Sequence, residues 1–273
     1  MFEASVIVSF YNNIDALKCI IKSLENQCDN FEVIIADDGS RQDVVTQVDT
    51  LINESHLSIK HVWQQDKGFR KTRVLNKAVK KASSPYLIFI DGDCIPQQHF
   101  VSDHLANKTN NVILNGRRVD MAAEYKVNLY SSTKPECFFS KNSPAILLKY
   151  LFGKGKNIEK GIRVTNKPIL KFLNRKTKGI VGCNFSLHKE DFISVNGFDN
   201  RYDVPCVGED TDIEYRLVNT GKRIKNVFHQ AVVLHILHPE LPRLERAAQL
   251  FEETQTNQQF IALDGYHQAN DVD

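Results

Sequence analysis

The stretch Tyr86-Leu-Ile-Phe-Ile-Asp-Gly-Asp-Cys-Ile-Pro96 constrains the chain most, because a short apolar run stops abruptly at two carboxylates separated by one glycine. Tyr86 to Ile90 is uncharged and rich in β-branched and aromatic residues, as in a strand covered on both faces of a mostly parallel sheet. Ligands of open α/β sheets bind just beyond the carboxyl ends of such strands. Side chains alternate along extended backbone, so Asp91 and Asp93 are expected to approach one centre from the same side, with Gly92 permitting the bend. Two hard oxygen donors so placed suit Mg²⁺ or Mn²⁺ that is also held by a substrate's phosphates. The competing reading is a plain turn, since Asp-Gly is a common turn dipeptide.

Before this stretch the sequence repeats strand and helix. Ser5-Val-Ile-Val-Ser9 reads as a strand, and Asn13 as the cap of a helix with Ile14, Leu17, Ile20, Ile21 and Leu24 at helical spacing. Phe31 to Ala36 reads as a second buried strand, ended by Asp37-Asp-Gly-Ser40. Ser40 is then a candidate N-cap for a helix bearing Val44, Val45, Val48, Leu51 and Ile52. Leu57 to Trp63 follows as a third strand. A basic helix from about Phe69 turns Val74, Ala78 and Ala82 inward. The order predicts an α/β fold with right-handed crossovers, a mostly parallel central sheet and helices on both faces.

A nucleotide is the expected guest of such a half, but not through the common phosphate loops. No glycine lies between the first strand and the first helix, and no G-x-x-x-x-G-K-[ST] occurs, which excludes both the dinucleotide fingerprint and the P-loop. The strand ends carry Ser9, Tyr11 and Asp38 instead: a ring to stack on a base and a carboxylate to accept from a base N–H. Lys67, Arg70 and Arg73 open the basic helix where a diphosphate would meet backbone N–H groups. A solvated basic face is the alternative. Arg73 and Asn76 are favoured for a role because they share the side of the apolar positions.

After a strand at Val112 to Asn115 the pattern degrades. From Lys141 to Lys178 there are eleven Lys or Arg and one acid, Glu159, a net of +10 in a chain whose total is +2, so the remainder carries −8. Short apolar clusters sit among these lysines. The combination suits an anionic membrane surface, where each Lys or Arg contributes about 1 kcal/mol, so peripheral membrane contact is expected through residues 141–178. An anionic polymer or a solvated lid suits it equally. Order returns with a glycine-containing strand from Gly179 to His188, a short helix from Lys189 to Val195 and a turn at Asn196-Gly-Phe-Asp199. In Gly208-Glu-Asp-Thr-Asp-Ile-Glu-Tyr-Arg216 acids crowd the first turn of a helix, beyond what capping needs, and one is expected to be a general base. Strands from Arg223 to Phe228 and Ala231 to His235 come next. His235 and His238 stand three apart, so extended chain would point them to opposite faces and only one would meet an ion. An amphipathic helix from Leu241, with Leu244, Ala247, Ala248 and Phe251 at helical spacing, leads to a polar end.

Six scattered cysteines without a C-x-x-C pair point to reduced thiols in a cytoplasmic compartment. Met1-Phe-Glu-Ala-Ser carries no secretory pattern, and no window approaches the roughly 18 apolar residues of a membrane span. Nothing points to nucleic acid as a partner.

Ser-Val-Ile-Val-Ser-Phe-Tyr-Asn, Val-Ile-Ile-Ala-Asp-Asp-Gly-Ser and Asp-Gly-Asp resemble the opening strand, uridine-side acid and D-x-D triplet of the inverting GT-A glycosyltransferases of family 2. Val181-Gly-Cys-Asn-Phe-Ser-Leu-His-Lys, Asn196-Gly-Phe-Asp and Gly208-Glu-Asp-Thr-Asp-Ile-Glu-Tyr-Arg-Leu resemble the galactosyltransferase C-terminal region of β-1,4-galactosyltransferases and chondroitin-polymerase-type enzymes. The resemblance implies a GT-A fold and metal-dependent, inverting transfer from a UDP-sugar to a glycan or lipid-linked acceptor in bacterial surface polysaccharide synthesis. It implies that Ser9, Tyr11 and Asp38 hold the uridine and that Arg73, with Arg70, lies near the diphosphate. Asp93 becomes the main ligand of Mn²⁺ or Mg²⁺, with Asp91 nearer the ribose or donor sugar and His235 completing the sphere. Asp210 becomes the base, and Glu209 binds the acceptor. The aromatic residues expected before Gly208 are replaced by Pro205-Cys-Val, and the basic insertion has no counterpart in the family. The expected organisation is a nucleotide-sugar half at 1–116, the insertion or lid at 117–178, an acceptor and catalytic half at 179–240, and a helix and tail at 241–273. A non-catalytic sugar-nucleotide binder and a sugar-phosphate nucleotidyltransferase are the alternatives, the latter disfavoured by the missing glycine-rich loop.

Overall fold

The structure, a computed structural model, describes residues 1–204, 208–239 and 245–269. A seven-stranded sheet runs in the order β3 (Ser58–Trp63), β2 (Phe31–Asp37), β1 (Ala4–Phe10), β4 (Tyr86–Asp91), β8 (Asn184–His188), β6 (Val112–Asn115), β9 (Arg223–Asn226). β8 is antiparallel to both neighbours, and all other pairings are parallel. Two reversals cancel, so β6 and β9 point the same way as β4. The carboxyl ends of β1, β2, β4, β6 and β9 therefore share one edge.

The sheet is apolar on both faces, and the period of two sorts the residues between them. Val6, Val8, Val33, Ile35, Ile88 and Ile90 pack with Leu17, Ile20 and Leu24 of α1 (Ile14–Leu24) and with Val44 and Val48 of α2 (Gln42–Glu54). Ile7, Ile34, Leu87 and Phe89 pack oppositely, against Val74 and Ala78 of α3 (Lys71–Lys81), Phe192 of α8 (Lys189–Ser194) and Ile213 and Leu217 of α9 (Glu209–Asn219). Burying each such side chain is worth about 1.5–3 kcal/mol, which fixes helices on both faces as expected.

A second sheet, absent from the sequence reading, places β10 (Val233–Ile236) between β5 (Ile95–Pro96), antiparallel, and β7 (Arg118–Met121), parallel. The first residues of the expected insertion thus enter a sheet. Beyond them come α5 (Lys126–Tyr130), α6 (Phe138–Leu151) and α7 (Lys167–Leu173), while α4 (Phe100–Asn107) precedes β6. Phe138, Phe139 and Ile146 anchor α6 in the core.

Two local readings differ. Ser40 does not cap α2, whose N-cap is Arg41 without a side-chain bond; its hydroxyl instead accepts the N–H of Asn12 at 2.8 Å. Residues 179–183 form a loop, and the strand begins only at Asn184. The tail helix is α10 (Glu245–Thr256); Leu241 and Leu244, like Pro205-Cys-Val, lie outside the described residues. The polar end after it packs by hydrogen bonds. Asn196 Nδ2 donates to the Ala262 carbonyl at 2.8 Å, Asn200 Nδ2 to Asp264 Oδ1 at 2.9 Å, and Tyr266 N–H to the Asn196 carbonyl at 2.7 Å.

Arg216 and Asp212 of α9 form a buried pair, the guanidinium Nη2 lying 2.5 Å from Asp212 Oδ2 while Nη1 donates to the Val195 and Gly197 carbonyls. Arg216→Met is expected to cost about 3–5 kcal/mol, because it leaves a buried carboxylate without a counterion. Urea unfolding of the two proteins checks it.

Candidate metal and nucleotide site

The shared edge of the large sheet opens into a cavity of about 500 Å³ lined by Ser9, Tyr11, Asp38, Lys71, Asp91 and Asp93 among others. That volume is ordinary for a small-molecule site. Two glycines keep its floor close. A Cβ on Gly92 would lie 2.5 Å from the Ser9 carbonyl oxygen, and one on Gly39, at φ +95, would lie 2.6 Å from the Asp66 backbone.

The structure brings Asp38, Tyr11 and Ser9 together as expected. Asp38 is buried and accepts from Gln64 Nε2 at 2.7 Å and from the Arg70 N–H at 2.8 Å. Burial pushes its carboxyl above the ordinary range, against those two bonds. Tyr11 is half exposed, and its hydroxyl donates to Asp66 at 3.2 Å.

The cations are arranged differently. Arg73 donates to Asp264 of the tail at 3.4 Å and does not line the cavity. Arg70 turns its guanidinium to the Gln65 carbonyl. Asn76 is buried and holds the Asn196-Gly-Phe-Asp turn, donating to the Phe198 carbonyl at 2.8 Å. The cation that enters is Lys71, the first residue of α3, which the sequence reading passed over. Its ammonium lies 2.9 Å from Asp91 and 3.2 Å from Glu209. Burial works against its charge, but those carboxylates hold its pKa well above the usual lysine range.

Asp91 is thus engaged by Lys71, and the metal-type cluster is instead Asp93, His235 and His238, with one donor atom from each within 4.8 Å of the others. The second sheet builds it. Asp93 stands two residues before β5, His235 lies in the neighbouring β10, and the β10–β7 register sets Asp120 opposite His235. The expectation that His235 and His238 diverge fails because β10 ends at Ile236; both Nε2 atoms lie 3.4 Å from Asp93 Oδ2.

The donor set fits a divalent cation. His235 is 2% exposed, and its Nε2 is a buried nitrogen without a hydrogen-bond partner, while Nδ1 sits 2.8 Å from Asp120. A carboxylate behind the ring fixes its tautomer and leaves Nε2 to ligate. Without a metal, burial lowers the His235 pKa but Asp120 and Asp93 carry it up to about 9. Burial likewise raises Asp93, yet the imidazole of His235 close by and the charges of His238 and Arg118 hold its pKa well below the carboxylate range. The pocket favours positive charge.

The acids of α9 all have partners. Glu209 meets Lys71, and burial raises its pKa. Asp210 accepts from the Gly182 N–H at 3.0 Å and the Thr211 N–H at 2.8 Å. Asp212 meets Arg216, and Glu214 accepts the Ile180 N–H at 2.5 Å. Glu209, expected on the acceptor, therefore turns to Lys71, which lines the cavity.

Comparison with known proteins agrees with this architecture. The chain belongs to glycosyl transferase family 2, whose model matches residues 5–192. A second model, described as N-terminal domain of galactosyltransferase, matches residues 171–239. The chain is similar to chondroitin synthase of Pasteurella multocida (strain Pm70), 29% identical over 228 residues, which cover 80% of this chain and 23% of that protein. It is also similar to chondroitin synthase of Escherichia coli, 27% identical over 233 residues, 82% of this chain and 33% of that protein. It spans a third or less of each. In fold it matches GalNAc-T7 solved with UDP, GalNAc and Mn²⁺, at TM-score 0.63 and 16% identity over 92% of this chain and 48% of that one.

Asp120→Asn is expected to weaken Mn²⁺ binding about 10–100-fold without touching a ligand atom. Calorimetric titration with Mn²⁺ reads it, and an unchanged affinity would remove Asp120 from the site.

Proposed function

We propose that this chain is an inverting, metal-dependent transferase that moves a sugar from a UDP-sugar to a hydroxyl of a glycan or lipid-linked saccharide in bacterial surface polysaccharide synthesis. One observation carries the reading: Lys71 ties Asp91, beside the Asp93–His235–His238 cluster, to the acid-bearing start of α9. A donor cleft and an acceptor-side carboxylate then share one edge.

Tyr11 stacks on the base, and Asp38, held by Gln64 and the Arg70 N–H, accepts from it. The diphosphate lies toward Lys71 and the N-terminus of α3, where an ammonium and free backbone N–H groups favour anions. Asp93, His235 and His238 would hold the metal, which supplies positive charge to the departing diphosphate. Two imidazoles beside one carboxylate suit a first-row transition metal such as Mn²⁺ better than Mg²⁺, which prefers oxygen donors. Asp210, oriented by the Gly182 and Thr211 N–H groups, takes the proton of the attacking hydroxyl. Attack opposite the leaving oxygen inverts the anomeric carbon.

General-base help is worth roughly 10²–10⁴-fold, so Asp210→Asn should reduce transfer by that factor and spare UDP-sugar binding. Released UDP in a screen of UDP-sugars with Mn²⁺ measures the first and calorimetry the second; near-normal turnover would deny Asp210 the role.

No helix among the described residues is long and apolar enough to cross a membrane. Leu148, Leu151 and Phe152 at the end of α6, with Ile169 and Phe172 on α7, are half or more exposed among the lysines. We propose that these side chains rest on an anionic membrane surface. Sedimentation with phosphatidylserine vesicles should exceed that with neutral ones, and equal sedimentation would dispose of the contact.

A further inference from the structure

Helix α7 has two sides with different surroundings. Lys167, Leu170, Lys171 and Asn174 recur at helical spacing and line a cavity of about 680 Å³, faced by Lys225 and Asn226 of β9. Ile169 and Phe172 lie outside that lining. No Asp or Glu among the described residues lines the cavity. Among the described residues, the basic stretch forms ion pairs through Lys149 and Lys154 with Glu124, Lys160 with Glu159, and Arg163 with Asp103. Its remaining cations form no ion pair with an acid of the described residues.

The run Arg175-Lys-Thr-Lys178 that leaves α7 is exposed in its side chains but fixed in its backbone. Asn226 Nδ2 donates to the Lys176 carbonyl at 2.7 Å, and Asn115 Nδ2 to the carbonyls of Lys178 at 2.8 Å and Gly179 at 3.0 Å. Both asparagines are buried and bonded to each other at 3.1 Å. They end β9 and β6, on the same edge as Asp91, so the run is pinned along the carboxyl edge of the sheet. A solvated lid needs no such anchoring.

The positive groups continue to the base. Arg117 donates to the Gly179 carbonyl at 2.9 Å, and its charge acts on Asp210 and Glu214. Arg117 and Lys160 both stand over the ring of Phe228, at 5.3 and 5.5 Å from its centroid. Burial lowers the Lys160 pKa, and the charges of Lys178 and Arg117 lower it further against Glu159. From β4 to β9 is three strand spacings, roughly 15 Å. Positive charge therefore extends from the acceptor carboxylate away from the donor cleft.

We propose that this edge is a binding track for a carboxylate-bearing glycan, whose growing end reaches Asp210 while the chain already built lies along 175–178 and the α7 cavity. The direction of the glycan rests on the transferase reading; its binding does not. The probe is a long uronic-acid-containing oligosaccharide, compared with the same oligosaccharide after its carboxyls are reduced to alcohols, titrated into the full chain without donor. The acidic form should bind more tightly and lose affinity as salt is added. Lys171→Glu with Lys176→Glu, both on exposed positions, should weaken it about tenfold or more while UDP affinity stays unchanged. Equal affinity for the acidic and reduced forms overturns the proposal. So does a double variant that releases phosphatidylserine vesicles but keeps its oligosaccharide affinity, since the charges would then serve a lipid surface. Tight, salt-sensitive binding by a chain that releases no UDP from any UDP-sugar supports the track and counts against the transferase reading alone.

Discussion

The Lys71 side chain, 16% exposed, sets its ammonium between Asp91 at the end of β4 and Glu209 at the start of α9, segments far apart in sequence. One ammonium shared between two carboxylates of little exposure offsets much of their mutual repulsion, and a buried carboxylate left alone would be costly. The contact fixes where α9 begins relative to the strand edge, and with it the position of Asp210. It also places a cation at the mouth of α3, where a diphosphate would otherwise meet Asp91 and Glu209 unscreened.

A second constraint acts on Asp93. The small sheet of β5, β10 and β7 turns the chain after the Asp-Gly-Asp triplet so that Asp93 faces His235, with Asp120 behind the ring. Core packing accounts for the large sheet, but the short second sheet is what gathers the donor atoms of Asp93, His235 and Asp120. Its strands are two to four residues long, and their main consequence is the cluster they assemble.

Much of this was legible in the sequence where apolar periodicity carried it. Strands β1, β2 and β4 follow from runs buried on both faces and the helices from apolar residues at helical spacing, and the triplet at the end of β4 announced the edge where ligands bind. What escaped depended on contacts distant in sequence or on chain leaving regular structure. His238 was set apart from His235 by assuming an extended chain that ends at Ile236. Lys71 carried no local signal because its two acids come from elsewhere, and Arg73 stood out because nothing local revealed Asp264. The tail packs through amides and backbone carbonyls, which leave no hydrophobic signal. β7 was missed because Arg118–Met121 holds two charged residues in four, both turned to the metal cluster's surroundings.

The central claim is that one cation, held by Asp93, His235 and His238, meets a diphosphate in the cleft beside Lys71. A crystal structure with Mn²⁺ and UDP, its manganese located by anomalous scattering, tests that most directly. The account predicts one strong peak bonded to the Asp93 carboxylate and to His235 Nε2, with the diphosphate completing the sphere and the uracil against Tyr11. Manganese away from those residues, or UDP in another cavity, would contradict it.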